Sequence, residues 1–198
     1  MSQLIESIYL KDGVFRNLAY HEIRLNNARL ALFSAKKTIN IAALLNEQRI
    51  PKKGLFKCRI LYGLQVENIE FHPYVLRPTK SVKLVDDDNI EYHFKYSDRK
   101  RIDELYGLRG ECDDVLIVRQ GLITDTSYAN IVLKKGTQWI TPAAPLLAGT
   151  MRSFLLEKKT LIEEEIKSKD LSKFVSFKLI NALIGFDMPE ITIENIMK

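Results

Sequence analysis

A few residues of this chain carry functional groups in settings that can support chemistry. Asp125 lies in "GLITDTSYANIVL", inside an apolar strand pattern. A carboxylate there needs a cation or several donors to face. Counted along a regular strand, it shares parity with Ile123, Ile131 and Leu133, on an apolar face. A turn-proximal aspartate capping nearby amides is the plainer reading of the same residue. Lys95 sits in "YHFKYSDR", at the end of one expected strand and just before an expected helix. Alternation puts it on a face with His93, leaving Tyr92, Phe94 and Tyr96 on the other. A lysine in a partly apolar cleft can act as an amine nucleophile, whereas most lysines are simply solvated. "AGTMR" places Gly149 just ahead of an expected helix, whose N-terminal amides and positive dipole end suit a phosphate. An ordinary loop is the alternative. Arg24 in "HEIRL" and Arg59 in "FKCRILY" carry the fork that grips phosphate or carboxylate, with an ordinary surface arginine as the rival reading of each.

The elements expected to position these groups form two α+β lobes, 1–78 and 79–198, joined at "RPTKS" (77–81), where Pro78 and Thr79 break the pattern. The first lobe reads as a hairpin turning at Asp12-Gly13, a helix with apolar residues at Ile23, Leu25, Ala28, Leu32 and Ala35, and a shorter helix capped by Asn40. Strands in "GLFKCRILYG" and "LQVENIEFHPYVL" complete it. The second lobe opens with strands "SVKLVD" and "IEYHF", then a helix with Ser97 as N-cap and Gly110 past its end. Two further strands follow around a Lys135-Gly136 turn, after "DDVLIVRQG". "LLAGTMRSFLLEKK" reads as strand-loop-helix, "TLIEEEI" as a strand and "SKDLSKF" as a short helix. "VSFKLINALIGF" and "EITIENI" close the chain as strands.

Composition narrows the class. Hydrophobic content of 46% and charged content of 28% are those of a globular domain, and a net charge of +5 permits an anionic ligand. The basic residues are scattered, apart from "RKR" at 99–101, and form no stripe with aromatics, so nucleic acid is not an expected partner. Cys58 and Cys112 read as buried free thiols. His21, His72 and His93 lie far apart, so no metal site is expected. The opening "MSQLIESIYLKDG" lacks a signal-peptide profile, and no apolar run approaches membrane-spanning length. A cytoplasmic protein without membrane contact is the expectation.

Taken together and in order, the candidate residues resemble the class IV aminotransferase family. These are the fold-type IV enzymes that use pyridoxal 5'-phosphate (PLP), among them branched-chain and D-amino-acid aminotransferases and aminodeoxychorismate lyase. The likeness runs from "HEIRL" to "INAL", and its most specific part is "TDTSYANIVLKKGTQWITPAAPLLAGTMR". The resemblance implies a small N-terminal α/β lobe and a larger, β-rich pseudo-barrel lobe that binds PLP. It implies that Asp125 faces the protonated pyridine nitrogen and that Lys95 forms the internal aldimine and shuttles the proton. Arg24 would hold the phosphate, together with Gly149 and the amides of Thr150 and Met151. Arg59 would serve the carboxylate of a small-molecule substrate. The family also implies a homodimer.

Two details lean toward the lyases. "KYSDR" resembles their Lys-x-x-Asn/Asp-Arg, and "INAL" resembles their Asn-Ala-Leu, which makes Asn181 a candidate for the substrate carboxylate or the phosphate end. Formation of 4-aminobenzoate and pyruvate is the first reading. Amino-acid transamination is the second, and a PLP-binding relative without turnover the third. The sequence departs from the family where Asp125 replaces the commoner glutamate. It also lacks the strand pair that precedes the first hairpin in longer relatives, so the expectation is a shortened member with a partly open entrance.

Overall fold

The computed structural model describes residues 3–76 and 78–198; Arg77 of the expected connector lies outside the described residues. The described chain divides into two compact units, one formed by residues 3–76 with 94–98, the other by 78–93 with 99–198. The return of 94–98 to the first unit differs from the expectation, which put them with the second lobe. The backbone explains it. Ile5 N–H donates to Lys95 O at 2.9 Å, Ser97 N–H donates to Gln3 O at 2.9 Å, and Leu4 and Tyr96 form an antiparallel bridge.

In the first unit, β1 (Leu4–Lys11), β2 (Val14–Phe15), β3 (Leu55–Tyr62) and β4 (Val66–Pro73) form an antiparallel sheet in the order β2-β1-β3-β4. The β1–β2 turn uses Asp12 at φ 49° and Gly13 at φ 83°, the left-handed pair that a two-residue hairpin requires. Helix α1 (Leu18–Phe33) follows, then α2 (Ile41–Asn46), capped by Asn40 Oδ1 accepting from Ala43 N–H at 2.7 Å. β1 alternates cleanly: Leu4, Glu6, Ile8 and Leu10 are buried on one face. Leu4 and Ile8 pack with Leu25, Ala28, Ile41 and Leu45 of the helices. The buried stripe of α1 is His21, Leu25, Ala28 and Arg29; Leu25 and Ala28 are as expected, whereas Ile23 and Leu32 are exposed. Two polar residues turn inward instead because each finds partners there. Arg29 donates to the carbonyls of Leu64 and Lys37 and to Asn26 Oδ1.

The second unit contains β5 (Val82–Asp86), α3 (Lys100–Tyr106), β6 (Asp114–Arg119), β7 (Leu122–Thr126), β8 (Asn130–Lys135), β9 (Gln138–Pro142), α4 (Thr150–Glu157) and β10 (Ile162–Glu164). β11 (Ser176–Ile180), β12 (Ile191–Thr192) and β13 (Ile196–Met197) complete it. The sheet runs β10-β9-β8-β7-β6-β5-β13, with β11 paired to both β8 and β12. On one side Leu116, Ile123, Ile131, Leu133, Phe177 and Leu179 share a core; on the other Val132 and Ile180 meet Met151 and Leu155 of α4.

Several expected elements are shorter or absent. Residues 90–94 form no strand, although Ile90 and Tyr92 are buried. Helix α3 starts at Lys100 with Arg99 in the cap position, so Ser97 caps nothing. The stretch before Gly149 is irregular, and β11 stops at Ile180 because the Asn181 carboxamide captures the next amides. "EITIENI" breaks into β12, a 3-10 turn and β13.

Candidate functional site

The first unit carries Arg24, Lys95 and Arg59. Glu6, which sequence reasoning passed over, organises the first of these. Its side chain is fully buried, and both oxygens are used. Arg24 donates from Nε to Oε1 at 2.9 Å and from Nη2 to Oε2 at 2.5 Å, while His21 Nδ1 lies 2.6 Å from Oε2. Burial pushes the Glu6 carboxyl up, but the Arg24 charge and the hydrogen bonds from His21 and Arg24 outweigh it and hold it at about 2. Burial lowers the pKa of His21 against the pull of Glu6, which favours the neutral ring, and Nδ1 carries its proton toward a carboxylate that can only accept. Three-residue spacing on α1 brings His21 and Arg24 to the same carboxylate. The signal was present in "LIESIYL", where Glu6 shares parity with Leu4 and Ile8.

Lys95 is half-buried, on a backbone that β1 holds through Ile5. Phe94 and Tyr96 pack against the core of this unit, edge to face with ring centroids 6.1 Å apart. Arg59 lies on the face of β3 opposite its buried residues Cys58, Ile60 and Tyr62, and Nη1 donates to Glu70 Oε2 at 3.1 Å.

The second unit carries Asp125, Gly149, Thr150, Met151 and Asn181. Between β6 and β7 the register advances from Val118↔Ile123 to Leu116↔Thr126, two residues on one strand and three on the other. That bulge moves Asp125 off the Ile123 face. It pairs directly with Asn130, which has the parity of Val132 on the α4 side, not that of Ile131 and Leu133 as regular alternation implied. Asp125 Oδ1 accepts from Asn130 Nδ2 at 2.8 Å and Oδ2 accepts from Leu147 N–H at 2.9 Å. Burial pushes its carboxyl up to about 6, against the lowering effect of Leu147, Asn130 and the Arg152 charge. The intervening turn is closed by Thr126 N–H on Ala129 O and steadied by Arg99 donating to Ser127 O at 2.8 Å.

Gly149 caps α4 with an extended backbone, and Thr150 and Met151, both buried, begin the helix. Space, not φ, requires a glycine here. A Cβ on Gly149 would overlap Asn130 Oδ1 and stand 3.2 Å from Asn130 Cγ. Asn130 has no room to yield, because its Nδ2 holds both Asp125 Oδ1 and, at 2.9 Å, Leu147 O. Gly149→Ala is therefore expected to destabilise the protein by about 2–3 kcal/mol, read as a lower urea midpoint. An unchanged midpoint would mean that Asn130 relaxes freely.

Asn181 braces its own loop. Oδ1 accepts from Leu183 and Ile184 N–H, each at 2.8 Å, and Nδ2 donates to Tyr128 O at 3.3 Å. A cavity of about 430 Å³ is lined by Tyr128, Leu179, Ile184, Met188 and Ile191, with Thr79 Oγ1 bonded to Tyr128 Oη at 2.6 Å. Asp125, Gly149 and Asn181 are not part of its wall. Among the described residues no cluster of metal-ligating side chains occurs, and no helix is long and apolar enough to cross a membrane.

Comparison with known proteins decides the family. The model of amino-transferase class IV matches residues 106–186. An uncharacterised protein of Haemophilus influenzae is 33% identical over 187 residues, 93% of this chain and all of that one. A crystal structure from Haemophilus somnus 129PT, of a protein provisionally named 4-amino-4-deoxychorismate lyase, is 35% identical. It covers 94% of this chain and 98% of its own, with a TM-score of 0.84. The chain belongs to the class IV aminotransferase family. Its fold is accordingly that of the fold-type IV PLP enzymes. A hypothetical aminotransferase of Mycobacterium tuberculosis, solved with PLP bound, shares that fold at 13% identity with a TM-score of 0.73, over 96% of this chain and 80% of that one. Within this class IV chain, sequence reasoning missed Glu6, Asn130 and Leu147, all of which act on candidate residues. Only Glu6 and Asn130 had a signal in side-chain type; Leu147 contributes a backbone amide.

Proposed function

We propose that this protein is a PLP-dependent enzyme acting at the α-carbon of an amino-bearing carboxylic acid, with formation of 4-aminobenzoate and pyruvate from aminodeoxychorismate as the first reading. The observation that carries the cofactor is Asp125. A buried acid with both oxygens oriented, and a carboxyl that burial pushes up to about 6, fits a protonated pyridine nitrogen. PLP, when bound, supplies an electron sink for charge developing at the substrate α-carbon. The chain's own residues do the rest. Asp125 would hold the proton on the ring nitrogen, and Lys95 would supply the amine that carries the cofactor, with loss of its aldehyde oxygen as water, and that moves the α-proton.

Arg59 serves the substrate carboxylate by exchanging Glu70 for it, a swap of like for like. The Arg59–Glu70 pair is partly exposed, with side chains at 29% and 38%, so solvent screening leaves little to oppose that exchange. Asn181 contributes by shaping the 181–184 loop. The protein works as a homodimer.

The lyase reading is favoured by the relative of similar length at 35% identity, itself named provisionally. Transamination is the second reading, favoured by aminotransferases that share the fold. The test is a visible spectrum with PLP, borohydride reduction with peptide mapping, and assays of both reactions. A yellow species trapped on Lys95 with release of 4-aminobenzoate is the expected result. Amino transfer to a 2-oxo acid without that release selects the second reading. A trapped cofactor with neither activity would leave a binding protein.

A further inference from the structure

We propose that Glu6 is a positioning residue for the cofactor: it fixes the Arg24 guanidinium in the plane and direction from which it meets the phosphate. This rests on the reading of Arg24 given above. Glu6 itself needs an explanation. A fully buried carboxylate in the core of a four-stranded lobe is poor stabilisation, since an apolar side chain of similar volume often does as well or better. What the ion pair provides is geometry. Arg24 enters it by the Nε–Nη2 edge, and two bonds to two oxygens define a plane that a single contact leaves free to rotate. The Arg24 side chain is 17% exposed, so without Glu6 it would be drawn to water and would have to be immobilised again on binding.

Glu6 cannot move to follow it. The alternation of β1 points it into the core between Leu4 and Ile8, and His21 Nδ1–H occupies the second lone pair of Oε2. The three-residue spacing of His21 and Arg24 in "HEIRL" follows from this shared anchor. His21 holds the carboxylate, and the carboxylate holds the arginine.

The test compares binding of PLP with binding of pyridoxal, which lacks the phosphate, in the wild type and in Glu6→Gln, Arg24→Ala and the double variant. Thermal unfolding serves as a check on folding. Wild type is expected to prefer PLP, and Arg24→Ala to lose that preference. Glu6→Gln should weaken PLP binding about 10-fold while leaving pyridoxal binding unchanged. The double variant should bind PLP no more weakly than Arg24→Ala, because both changes act through one group. If Glu6→Gln keeps the wild-type ratio of the two affinities, or lowers both equally, the inference fails while the phosphate role of Arg24 stands. If Arg24→Ala keeps the ratio, that role fails and the inference falls with it. Glu6→Asp gives the same answer should Glu6→Gln not fold. It keeps the charge, but one methylene less draws the carboxylate back from the Arg24 edge, so a lowered ratio supports positioning and a wild-type ratio overturns it.

Discussion

Lys95→Ala is expected to yield a folded protein that takes up PLP without a borohydride-reducible link and turns over about 10³-fold more slowly than wild type. The expectation of folding comes from the backbone. The Lys95 carbonyl, not its side chain, is what β1 holds through Ile5 N–H, and the flanking anchors are Phe94 and Tyr96 in the core. Removing the amine leaves all of these in place. Peptide mapping after reduction reads the link directly. A reduced adduct found on a different lysine of the variant, with turnover preserved, would remove Lys95 from the chemistry.

Asp125→Ala is expected to retain PLP but to lose about 10²–10³-fold in turnover, because the ring nitrogen no longer has an anion to hold its proton. Unchanged turnover would take Asp125 out of the mechanism. The same variant tests the carboxyl's environment without cofactor. A folded-state value of about 6 lies above the ordinary 3.8, so between those values the folded protein binds the extra proton. Stability from this group is therefore present at low pH and lost as pH rises from about 4 to 6, by about 3 kcal/mol in all. His21 has the opposite slope, since its lowered pKa makes stability fall as pH drops below its ordinary value of 6.5. Glu6 acts lower still, losing stability as pH falls from 4.5 toward 2. Subtracting the Asp125→Ala profile from wild type isolates the aspartate, and adding PLP should flatten the difference. A difference already flat without PLP would mean that the buried carboxyl is not raised.

The periodic parts of the chain were legible from its sequence. The Asp12-Gly13 hairpin, the Asn40 cap and the β8–β9 pair each depend on local chemistry, and each forms. The long motif also brought the family with it, because its residue types are spaced by function and not by a single element's period. What stayed hidden depends on distant chain. Residues 90–94 alternate like a strand, yet Phe94 packs in the other unit from Tyr92, and no ladder runs through them. The inward face of α1 was misjudged because His21 and Arg29 are polar, and only Glu6 and the carbonyls of Leu64 and Lys37 make their burial favourable. The role of Leu147 was invisible for a simpler reason. It acts through an amide that every residue but proline possesses.

The bulge in β7 acts as a phase shift. Upstream of it, Ile123 keeps time with the interior of the sheet; downstream, the beat is displaced by one. Thr124 spends its hydroxyl on Ile117 O at 2.7 Å, and Asp125 arrives on the side where α4 begins. Which functional group reaches that side, an acid or an alcohol, is thus decided by one surplus residue in the backbone and not by the order of the side chains.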